Sequence, residues 1–457
     1  MDLPRIVISG VGSGSGKTTV ATGLMSAFTS SGLKVQGFKV GPDFIDPTYH
    51  TAVTSRKSRN LDAWMLPQET IRGLFQQNAA GCDVAVIEGV MGLFDGVEGK
   101  GWEGSTAKIA GLLKSPVILM LDVSGMAGSA AAIVAGCKAI DETLNLAGVI
   151  LNRVSGQKHK EMCSDAIQST TGLPVLGALP KNSEIRLPER HLGLVPTTER
   201  PDLAAALEKV SQFVKANVDL DRLLEIAKTA PPLQEVRLEK RGRKNVVRIG
   251  VAYDEAFNFY YQDALDTLST AGADVCYFSP IHDRIIPGDL DGLYVGGGFP
   301  EVLADQLESN QSIRTSMKKK LEAGMPVFAE CGGLMYLTKS ITDFEGRRHN
   351  MVGALECETT MVRKLILSYT DASIIRPNIL AKPGATVRGH EFHHSKLDGV
   401  PSDASFAYAM RRGLGIDAGK DGWIEYNTLA QYMHINFAAS PEFASNFVET
   451  CLQYTRK

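Results

Sequence analysis

The feature that most limits how this chain can fold is an alternation of short apolar runs with longer amphipathic segments. In the first half the runs are rich in Val, Ile and Leu and have the length of buried strands; they are Ile6–Ser9, Val35–Val40, Val84–Glu88, Val117–Asp122, Gly148–Asn152 and Val175–Leu179. Segments with helical periodicity separate them, at residues 17–30, 104–114, 128–142 and 158–170. The alternation predicts an α/β fold, a doubly wound parallel sheet with helices on both faces. Ligands are then expected at the carboxyl ends of the strands.

A second alternation begins after a break in the pattern, which indicates two domains. The first pattern fades near Pro196, and residues 201–228 have the pattern of two helices. A mixed-charge stretch follows, whose basic residues Arg241, Arg243, Lys244 and Arg248 are typical of a solvated linker. New strands are predicted at Val246–Ala252, Asp274–Phe278, Gly292–Val295 and Met325–Ala329. Because 457 residues exceed one ordinary core, we predict a first domain at 1–198, a helical connector and linker at 199–245, and a second α/β domain at 246–457.

Net charge, apolar content and cysteine distribution indicate which partners and which cellular location to expect. The formal net charge of −3 argues against nucleic acid or an anionic membrane as the main partner. No run approaches the ~20 apolar residues that span a bilayer, and the N-terminus passes straight into a strand pattern, so a cytoplasmic location is expected. The seven cysteines are scattered, which predicts reduced thiols with neither a disulfide framework nor a cysteine zinc site.

A glycine-rich loop follows the first predicted strand and opens the first predicted helix. The sequence from Gly10 to Thr19 is GVGSGSGKTT, and its backbone amides are suited to phosphate oxygens. We predict nucleotide phosphate contacts from Gly12, Gly14, Gly16, Lys17, Thr18 and Thr19, with the Thr18 hydroxyl on Mg²⁺. Five residues, against four in the usual P-loop pattern, separate Gly10 from Gly16, so a plain glycine turn stays an alternative.

Polar residues at other strand ends complete this candidate site. Glu88 ends a buried strand and is predicted to bind Mg²⁺, with a structural cap as the alternative. Asp43 and Asp46 follow the second strand, beside prolines, where metal binding, substrate orientation and turn formation are all open. Asp95 follows the strand that ends at Glu88 and lies in the expected substrate region. Asn152 is predicted to read the adenine edge, or else simply to end its strand.

The second half contains a candidate nucleophile. Cys331 stands at a strand-to-helix turn with two glycines after it, as in a nucleophile elbow, and a helix N-terminus there is expected to lower the thiol pKa. Gly297, Gly298 and Gly332 are predicted to supply an oxyanion hole. His434, late in the chain, is the predicted general base. Three histidines in one segment, His390, His393 and His394, are interpreted as a substrate-facing or domain-contact loop in preference to a zinc site.

Taken together, these motifs resemble the cobyrinate a,c-diamide synthase family over essentially the whole chain. The segments that carry the resemblance are Lys39–His50, Glu88–Asp95, Gly296–Glu301, Glu330–Gly333 and Gly389–Ser395. The first half is similar to dethiobiotin-synthetase-type ATPases, which share the longer loop spacing, and the second to the class I glutamine amidotransferase domain. The class I domain usually places a glutamate two residues after the histidine, where this chain has Asn436. The cobyrinate group is known for lacking this third acid.

The resemblance implies ATP- and glutamine-dependent amidation of the a- and c-acetate side chains of a corrinoid. It implies Cys331 as nucleophile, His434 as its activator, Lys17, Thr18 and Glu88 at the ATP–Mg²⁺ site, and Asp43 and Asp46 near the reacting carboxylate. The predicted partners are ATP, L-glutamine and a corrinoid or related tetrapyrrole polycarboxylate; the oligomeric state stays open, with a homodimer as one option.

Other functions remain open from the sequence. Hydrogenobyrinate or nickel-sirohydrochlorin could replace cobyrinate, and a cobyrate synthase would amidate other positions. A nucleotide-switched partition or binding protein is the alternative from another class. Partition-type ATPases carry an additional lysine where this loop has Gly12, and that function leaves Cys331 and His434 unused.

Overall fold

The computed structural model describes residues 2–182, 197, 202–238 and 246–456, together with the backbone of 189–190 and 193–194. The chain divides into two compact units, Met1–Leu238 and Glu239–Lys457. The predicted boundaries at 198 and 245 fall on residues outside this description, as do Arg241, Arg243 and Lys244 of the predicted linker. The division into domain, connector and domain therefore stays a prediction.

The first unit has the predicted alternation of strands and helices. Its strands are β1 (Arg5–Gly10), β2 (Val35–Val40), β3 (Arg59–Leu61), β4 (Val84–Glu88), β5 (Val117–Asp122), β6 (Leu146–Val154), β7 (Val175–Pro180), β8 (Glu189–Arg190) and β9 (Gly193–Leu194). Its helices are α1 (Lys17–Ser30), α2 (Asp46–Thr54), α3 (Gln68–Ala79), α4 (Thr106–Leu112), α5 (Ser129–Ile140), α6 (Gln157–Thr171), α7 (Leu203–Asn217) and α8 (Leu220–Lys228). Every apolar run predicted as a strand here is confirmed; α2, β3 and α3 were not predicted.

One parallel sheet organises this unit. Among the described residues it has seven strands in the order β3-β2-β4-β1-β5-β6-β7. The strands are buried on both faces, which is why they consist of continuous apolar runs. The register pairs Lys39 of β2 with Glu88 of β4, and Ile8 of β1 with Glu88 on the other side. The carboxyl ends of β1, β2 and β4 therefore meet at one edge, beside the start of α1.

The helices of 201–228 pack on this first unit. Gly23 of α1 has no side chain, and a Cβ there would lie 3.0 Å from Cβ of Val214 in α7, so the two helices approach closely. Farther along, the buried guanidinium of Arg5 donates to the carbonyl of Pro231 at 2.6 Å, and Gln76 Nε2 donates to the carbonyl of Gln234 at 2.6 Å. Residues up to 238 are thus anchored to the first sheet.

The second unit joins a parallel half to an antiparallel half. Its strands are β10 (Val247–Ala252), β11 (Phe257–Phe259), β12 (Ala273–Phe278), β13 (Gly292–Val295), β14 (Gly297–Gly298), β15 (Val327–Glu330), β16 (Ser340–Thr342), β17 (Arg348–Asn350), β18 (Glu358–Ile374), β19 (Thr386–Asp398), β20 (Ser405–Arg412), β21 (Lys420–Glu425) and β22 (Thr428–Gln431). Its helices are α9 (Gln262–Ala271), α10 (Ala304–Ser309), α11 (Gln311–Glu322), α12 (Gly332–Leu337) and α13 (Pro441–Thr455).

The parallel half of this sheet carries the predicted strands. Strands β12, β10, β13, β15 and β22 pair in parallel, while β21, β20, β18 and β19 continue the sheet in antiparallel pairing. The antiparallel extension was not predicted. The His390–His394 segment, interpreted from the sequence as a loop, lies within strand β19; that interpretation was wrong about its secondary structure.

Three smaller observations complete the comparison with the sequence. Within the described ranges, the structure contains no helix that is both long enough and apolar enough to cross a bilayer. All seven cysteines are free thiols. Arg248, assigned to the solvated linker cluster, instead lies in β10 and forms ion pairs with Asp274 and Asp289.

Candidate active sites

The glycine-rich loop has the backbone of a phosphate-binding loop. Gly14 and Gly16 adopt left-handed conformations, with φ of 72° and 95°, which residues with a Cβ rarely reach. Gly16 caps α1, so the loop amides and the helix N-terminus lie together. The Lys17 ammonium donates to the carbonyls of Gly12 at 2.9 Å and Met91 at 2.6 Å. Thr18 and Thr19 follow in the first turn of α1.

Asn152 supports this loop from the end of β6. Its Nδ2 donates to the carbonyl of Ser15 at 2.9 Å, and a Cβ on Gly16 would lie 2.5 Å from the same nitrogen. The sequence predicted an adenine contact for Asn152. The structure places its amide against the loop backbone, and the adenine contact stays a prediction.

A buried cluster of charged side chains lies beside the loop. Thr18 Oγ1 donates to Glu88 Oε1 at 2.6 Å and lies 3.2 Å from Asp46 Oδ2. The Lys39 ammonium bridges the same two carboxylates, at 2.5 Å from Asp46 Oδ2 and 2.8 Å from Glu88 Oε1. His50 Nε2 lies 2.7 Å from Glu88 Oε2. Each oxygen of Glu88 is therefore engaged, and the parallel register of β2 and β4 brings the group together.

The electrostatics of this cluster follow from burial and from the paired charges. Burial lowers the pKa of Lys17 to about 8, and the charge of Lys39 adds to that effect. Burial would raise the pKa of Glu88, but Lys39 and the His50 hydrogen bond outweigh it and hold that pKa below its usual value. Burial and the charge of Asp43 raise the pKa of Asp46. Burial would lower the pKa of Lys39, yet Asp46 and Glu88 raise it.

Two of the predicted acidic residues hold turns. Asp43 Oδ1 accepts from the amides of Ile45 at 2.7 Å and Asp46 at 3.1 Å, so it forms the turn that starts α2. Asp95 Oδ2 accepts from the amide of Gly92 at 2.7 Å and shapes the loop after β4. Asp46, and not Asp43, is the carboxylate that reaches Thr18.

The oxygen atoms at this edge are of the kind that a magnesium ion binds, and the Lys39 ammonium already contacts two of them, Asp46 Oδ2 and Glu88 Oε1. The hydroxyl of Thr18 and the carboxylates of Glu88 and Asp46 lie within hydrogen-bond distance, at the mouth of a phosphate-binding loop. Mg²⁺ takes one or two carboxylates together with substrate phosphates. The predicted magnesium residues Thr18 and Glu88 therefore lie together, and Asp46 joins them.

The second unit contains a strained turn at Cys331. The residue has φ 47° and ψ −100°, between β15 and α12, and its amide donates to the carbonyl of Gln431 at 2.7 Å. A residue with a Cβ adopts such a conformation only where its surroundings hold it, and such strain concentrates at functional sites. The cysteine is 4% exposed.

The predicted oxyanion glycines and His434 surround this turn. A Cβ on Gly332 would lie 3.1 Å from the amide nitrogen of Gly298, so these two amide-bearing residues are adjacent. A Cβ on Gly297 would lie 2.5 Å from Cε1 of His434, so the imidazole rests directly over that glycine. The structure thus brings Gly297, Gly298, Gly332 and His434 together, and their roles as oxyanion hole and general base stay predictions.

The protonation states of this pair correct one expectation. We expected the helix N-terminus to lower the thiol pKa. Instead, burial raises the pKa of Cys331, Glu301 adds to the effect, and the amide of Gly332 opposes it only in part. The thiol lies 3.8 Å from the carbonyl of Phe392, as a donor would. Burial also lowers the pKa of His434 well below its usual value. Both shifts favour the neutral forms of the thiol and the imidazole, and a neutral imidazole is the form that a general base requires.

Two neighbours, His390 and Glu330, lie against His434. Its backbone pairs with His390 through two hydrogen bonds of 2.8 and 3.1 Å, and the two rings stack with centroids 4.9 Å apart. Glu330 Oε2 lies 4.0 Å from His434 Nδ1. Asn436, at the place of the usual third acid, instead accepts from the amide of Ala438 at 3.0 Å and forms a turn.

Sequence reasoning missed Lys39, His50 and Glu330 as site residues. Lys39 carried a signal, because a charged residue inside a buried apolar strand needs a partner. His50 and Glu330 carried a weaker signal, since His50 ends the Lys39–His50 segment and Glu330 directly precedes Cys331. The contacts of all three depend on which strands are neighbours, which composition and spacing do not reveal.

The two units together define a class of protein. The first is a P-loop nucleotide-binding α/β unit, and the second is an α/β unit of the glutamine amidotransferase type with its cysteine elbow. Family comparison agrees: residues 6–195 match the CobQ/CobB/MinD/ParA nucleotide binding domain, and residues 248–442 match the CobB/CobQ-like glutamine amidotransferase domain.

Relatives over the full length identify the family. A cobyrinate a,c-diamide synthase of Dehalococcoides mccartyi is 44% identical, covering 98% of this chain and 98% of that protein. Those of Methanosarcina acetivorans and Archaeoglobus fulgidus are each 42% identical, covering 98% and 99% of this chain and 95% and 98% of their own lengths. The chain belongs to the cobyrinate a,c-diamide synthase family.

Proposed function

We propose that this chain catalyses ATP- and glutamine-dependent amidation of the a- and c-acetate carboxylates of cobyrinate. The observation that carries the proposal is the turn at Cys331: the next residue, Gly332, lies against the Gly298 amide, and His434 lies against the neighbouring Gly297. A nucleotide switch needs no such centre, whereas a ligase that takes nitrogen from glutamine needs one in addition to a nucleotide site. The names of the relatives, at 44% identity for the Dehalococcoides protein, supply the substrate.

At the nucleotide site, the chain is proposed to activate the substrate carboxylate. A carboxylate is a poor electrophile, and transfer of the γ-phosphoryl group of ATP converts it to an acyl phosphate. Lys17 and the loop amides stabilise the charge on the transferring group. Thr18 and Glu88 would hold Mg²⁺, which supplies further charge neutralisation when bound. Asp46 would join this metal site, and Asp43 and Asp95, which shape the adjoining turns, are proposed to lie near the substrate carboxylate.

At the second site, the chain is proposed to release ammonia from glutamine. His434 takes the thiol proton of Cys331, and the thiolate attacks the carboxamide carbon. The amides of Gly297, Gly298 and Gly332 receive the oxyanion. His434 returns the proton to the leaving ammonia, and water hydrolyses the remaining glutamyl thioester to glutamate. The ammonia displaces phosphate from the acyl phosphate, which gives the carboxamide.

Two variants separate the steps. Cys331→Ala is expected to lose amidation with glutamine and to keep it with ammonium, because only the ammonia source is removed. Lys17→Ala is expected to lose amidation with either source. The readouts are phosphate release and glutamate formation. Full ammonium-dependent amidation by Lys17→Ala would refute the acyl phosphate step, and full glutamine-dependent amidation by Cys331→Ala would refute the glutaminase assignment.

A further inference from the structure

Three side chains that can ligate a metal meet in the second unit, and none of them belongs to the candidate active sites described above. Asp305 and Glu308 stand three residues apart on α10, which places them on one face of the helix. His349 lies on β17, which packs against that helix. Each of the three residues has one potential ligand atom, and these three atoms lie within 4.8 Å of one another.

The geometry of His349 distinguishes this group from an ordinary acidic surface. The residue is 4% exposed. Its Nδ1 lies 3.2 Å from Asp305 Oδ1 and 3.4 Å from Glu308 Oε2. Both contacts are ion pairs if the ring is protonated, yet within the described part of the chain neither oxygen meets hydrogen-bond geometry at Nδ1. A buried polar atom without a hydrogen bond needs an explanation, and an ion is one.

The other ring nitrogen has the partner that a metal-bound histidine requires. Nε2 of His349 lies 3.2 Å from Asp343 Oδ2. Asp343 is itself held by Arg347, whose Nε donates to the same oxygen at 2.8 Å. A carboxylate on the far nitrogen fixes the tautomer in which the near nitrogen presents a lone pair. That lone pair would then face two carboxylates, an arrangement that a cation stabilises.

The distances match the size of a transition-metal ion. Zinc takes nitrogen at about 2.0–2.1 Å and carboxylate oxygen at about 2.0–2.2 Å, so two tetrahedral ligands lie about 3.4 Å apart. The two nitrogen–oxygen distances here are 3.2 and 3.4 Å. The second oxygen of Glu308 is occupied, because it accepts from the amide and the side chain of Asn350 at 2.9 and 2.7 Å. The Asp305 side chain is 73% exposed and gives solvent a way in.

We propose that Asp305, Glu308 and His349 bind a divalent transition-metal ion, with water completing its coordination. The ion joins two segments that border the glutaminase turn in sequence. Helix α10 follows the Gly297–Gly298 strand, and β17 belongs to the hairpin that follows α12. Its role is structural: it fastens α10 to the hairpin.

The test is zinc binding by the whole chain after removal of metal with a chelator. Isothermal titration or competition with a chromogenic chelator gives the stoichiometry, and the thermal midpoint is measured with and without zinc. His349→Gln is expected to lose one equivalent relative to the wild type, and Asp305→Asn to weaken that equivalent at least about tenfold. Zinc should raise the midpoint of the wild type and of neither variant. If His349→Gln fails to fold, Asp305→Asn still tests the proposal, because the side chain of Asp305 is mostly exposed and its replacement should not prevent folding.

His282→Gln is the matched control. His282 Nε2 also pairs with a carboxylate, Glu255 Oε2 at 2.8 Å, but at an exposed position and outside the three-ligand group. This variant should bind zinc as the wild type does. Equal stoichiometry and equal midpoint shifts in the wild type and all three variants would overturn the proposal. The proposal would also be overturned if His349→Gln lowered the thermal midpoint by the same amount with chelator and with zinc. That result would mean that His349 stabilises the fold as a protonated histidine in an ion pair, without a metal.

Discussion

The carboxylate of Glu330 accepts a hydrogen bond from the backbone amide of Ile435, with 2.8 Å between Oε1 and the nitrogen. Glu330 immediately precedes the proposed nucleophile Cys331, and Ile435 immediately follows the proposed general base His434. The other oxygen of Glu330 accepts from the hydroxyl of Tyr294 at 2.7 Å. One buried side chain thus ties the strand of the nucleophile to the segment of the base, and we expect it to position His434.

Truncating Glu330 should disturb the glutaminase more than replacing it with its amide. Glu330→Ala leaves the Ile435 amide and the Tyr294 hydroxyl buried without an acceptor, at about 1–3 kcal/mol each. Glu330→Gln keeps an acceptor for one of them. We expect kcat for glutamine hydrolysis to fall in the order wild type, Glu330→Gln, Glu330→Ala, while ammonium-dependent amidation is retained. Equal glutaminase rates in all three proteins would contradict a positioning role.

The same residue predicts a pH dependence of stability. Burial raises the pKa of Glu330 from 4.5 to about 8. The folded state therefore keeps a proton that the unfolded state loses, so this contribution to stability is fully present below about pH 4.5 and is lost as pH rises through about 8. The thermal midpoint of the wild type should fall more steeply than that of Glu330→Gln between these limits. Parallel profiles would show that Glu330 is ionised in the fold.

ATP binding should draw a proton onto Lys17. Burial lowers the pKa of Lys17 to about 8, so at about pH 9 the free protein holds it mostly neutral. Phosphate favours the ammonium form, so nucleotide binding is accompanied by proton uptake. Titration calorimetry at that pH in two buffers of different ionisation enthalpy measures the uptake. Lys17→Arg is the control, since arginine is charged throughout. Equal proton uptake by the wild type and Lys17→Arg would mean that a group other than Lys17 takes up the proton.

Removing Lys39 should destabilise the first unit strongly. Lys39→Met leaves the buried carboxylates of Asp46 and Glu88 facing each other, and breaking a buried ion pair in this way costs about 3–5 kcal/mol. Lys108→Met is the matched control, because Lys108 pairs with Glu103 at 3.4 Å in a partly exposed position, where such a pair contributes about 0–1 kcal/mol. Denaturant unfolding measures the free energy of unfolding of the two variants. Similar decreases in Lys39→Met and Lys108→Met would contradict a tightly paired cluster at Lys39.

Much of the fold could be predicted because local pattern and tertiary structure agree there. The mainly apolar runs that predict β1, β2 and β4 to β7 are buried in a parallel sheet with helices on both faces, and such a sheet favours short apolar runs between helical segments. The loop before Lys17 and the turn at Cys331 were found because each needs particular small residues at fixed positions.

The rest depends on contacts that sequence does not encode locally. Lys39 and Glu88 are far apart in the chain and meet only because β2 and β4 are neighbours in register. The pKa of the Cys331 thiol was predicted in the wrong direction, because the local helix argument ignored burial, which is the larger effect. The antiparallel strands β18 to β21 alternate polar and apolar residues irregularly, since part of each is exposed.

The mass of the product distinguishes amidation of cobyrinate from amidation of another tetrapyrrole. The wild type, with ATP, Mg²⁺ and glutamine, is offered cobyrinate and nickel-sirohydrochlorin in parallel, with Cys331→Ala as the control. We expect two successive carboxylate-to-carboxamide conversions on cobyrinate by the wild type. Cys331→Ala should lose both conversions with glutamine and regain them with ammonium. Turnover of the nickel compound alone would contradict the substrate, and amidation of neither compound would contradict the proposed function.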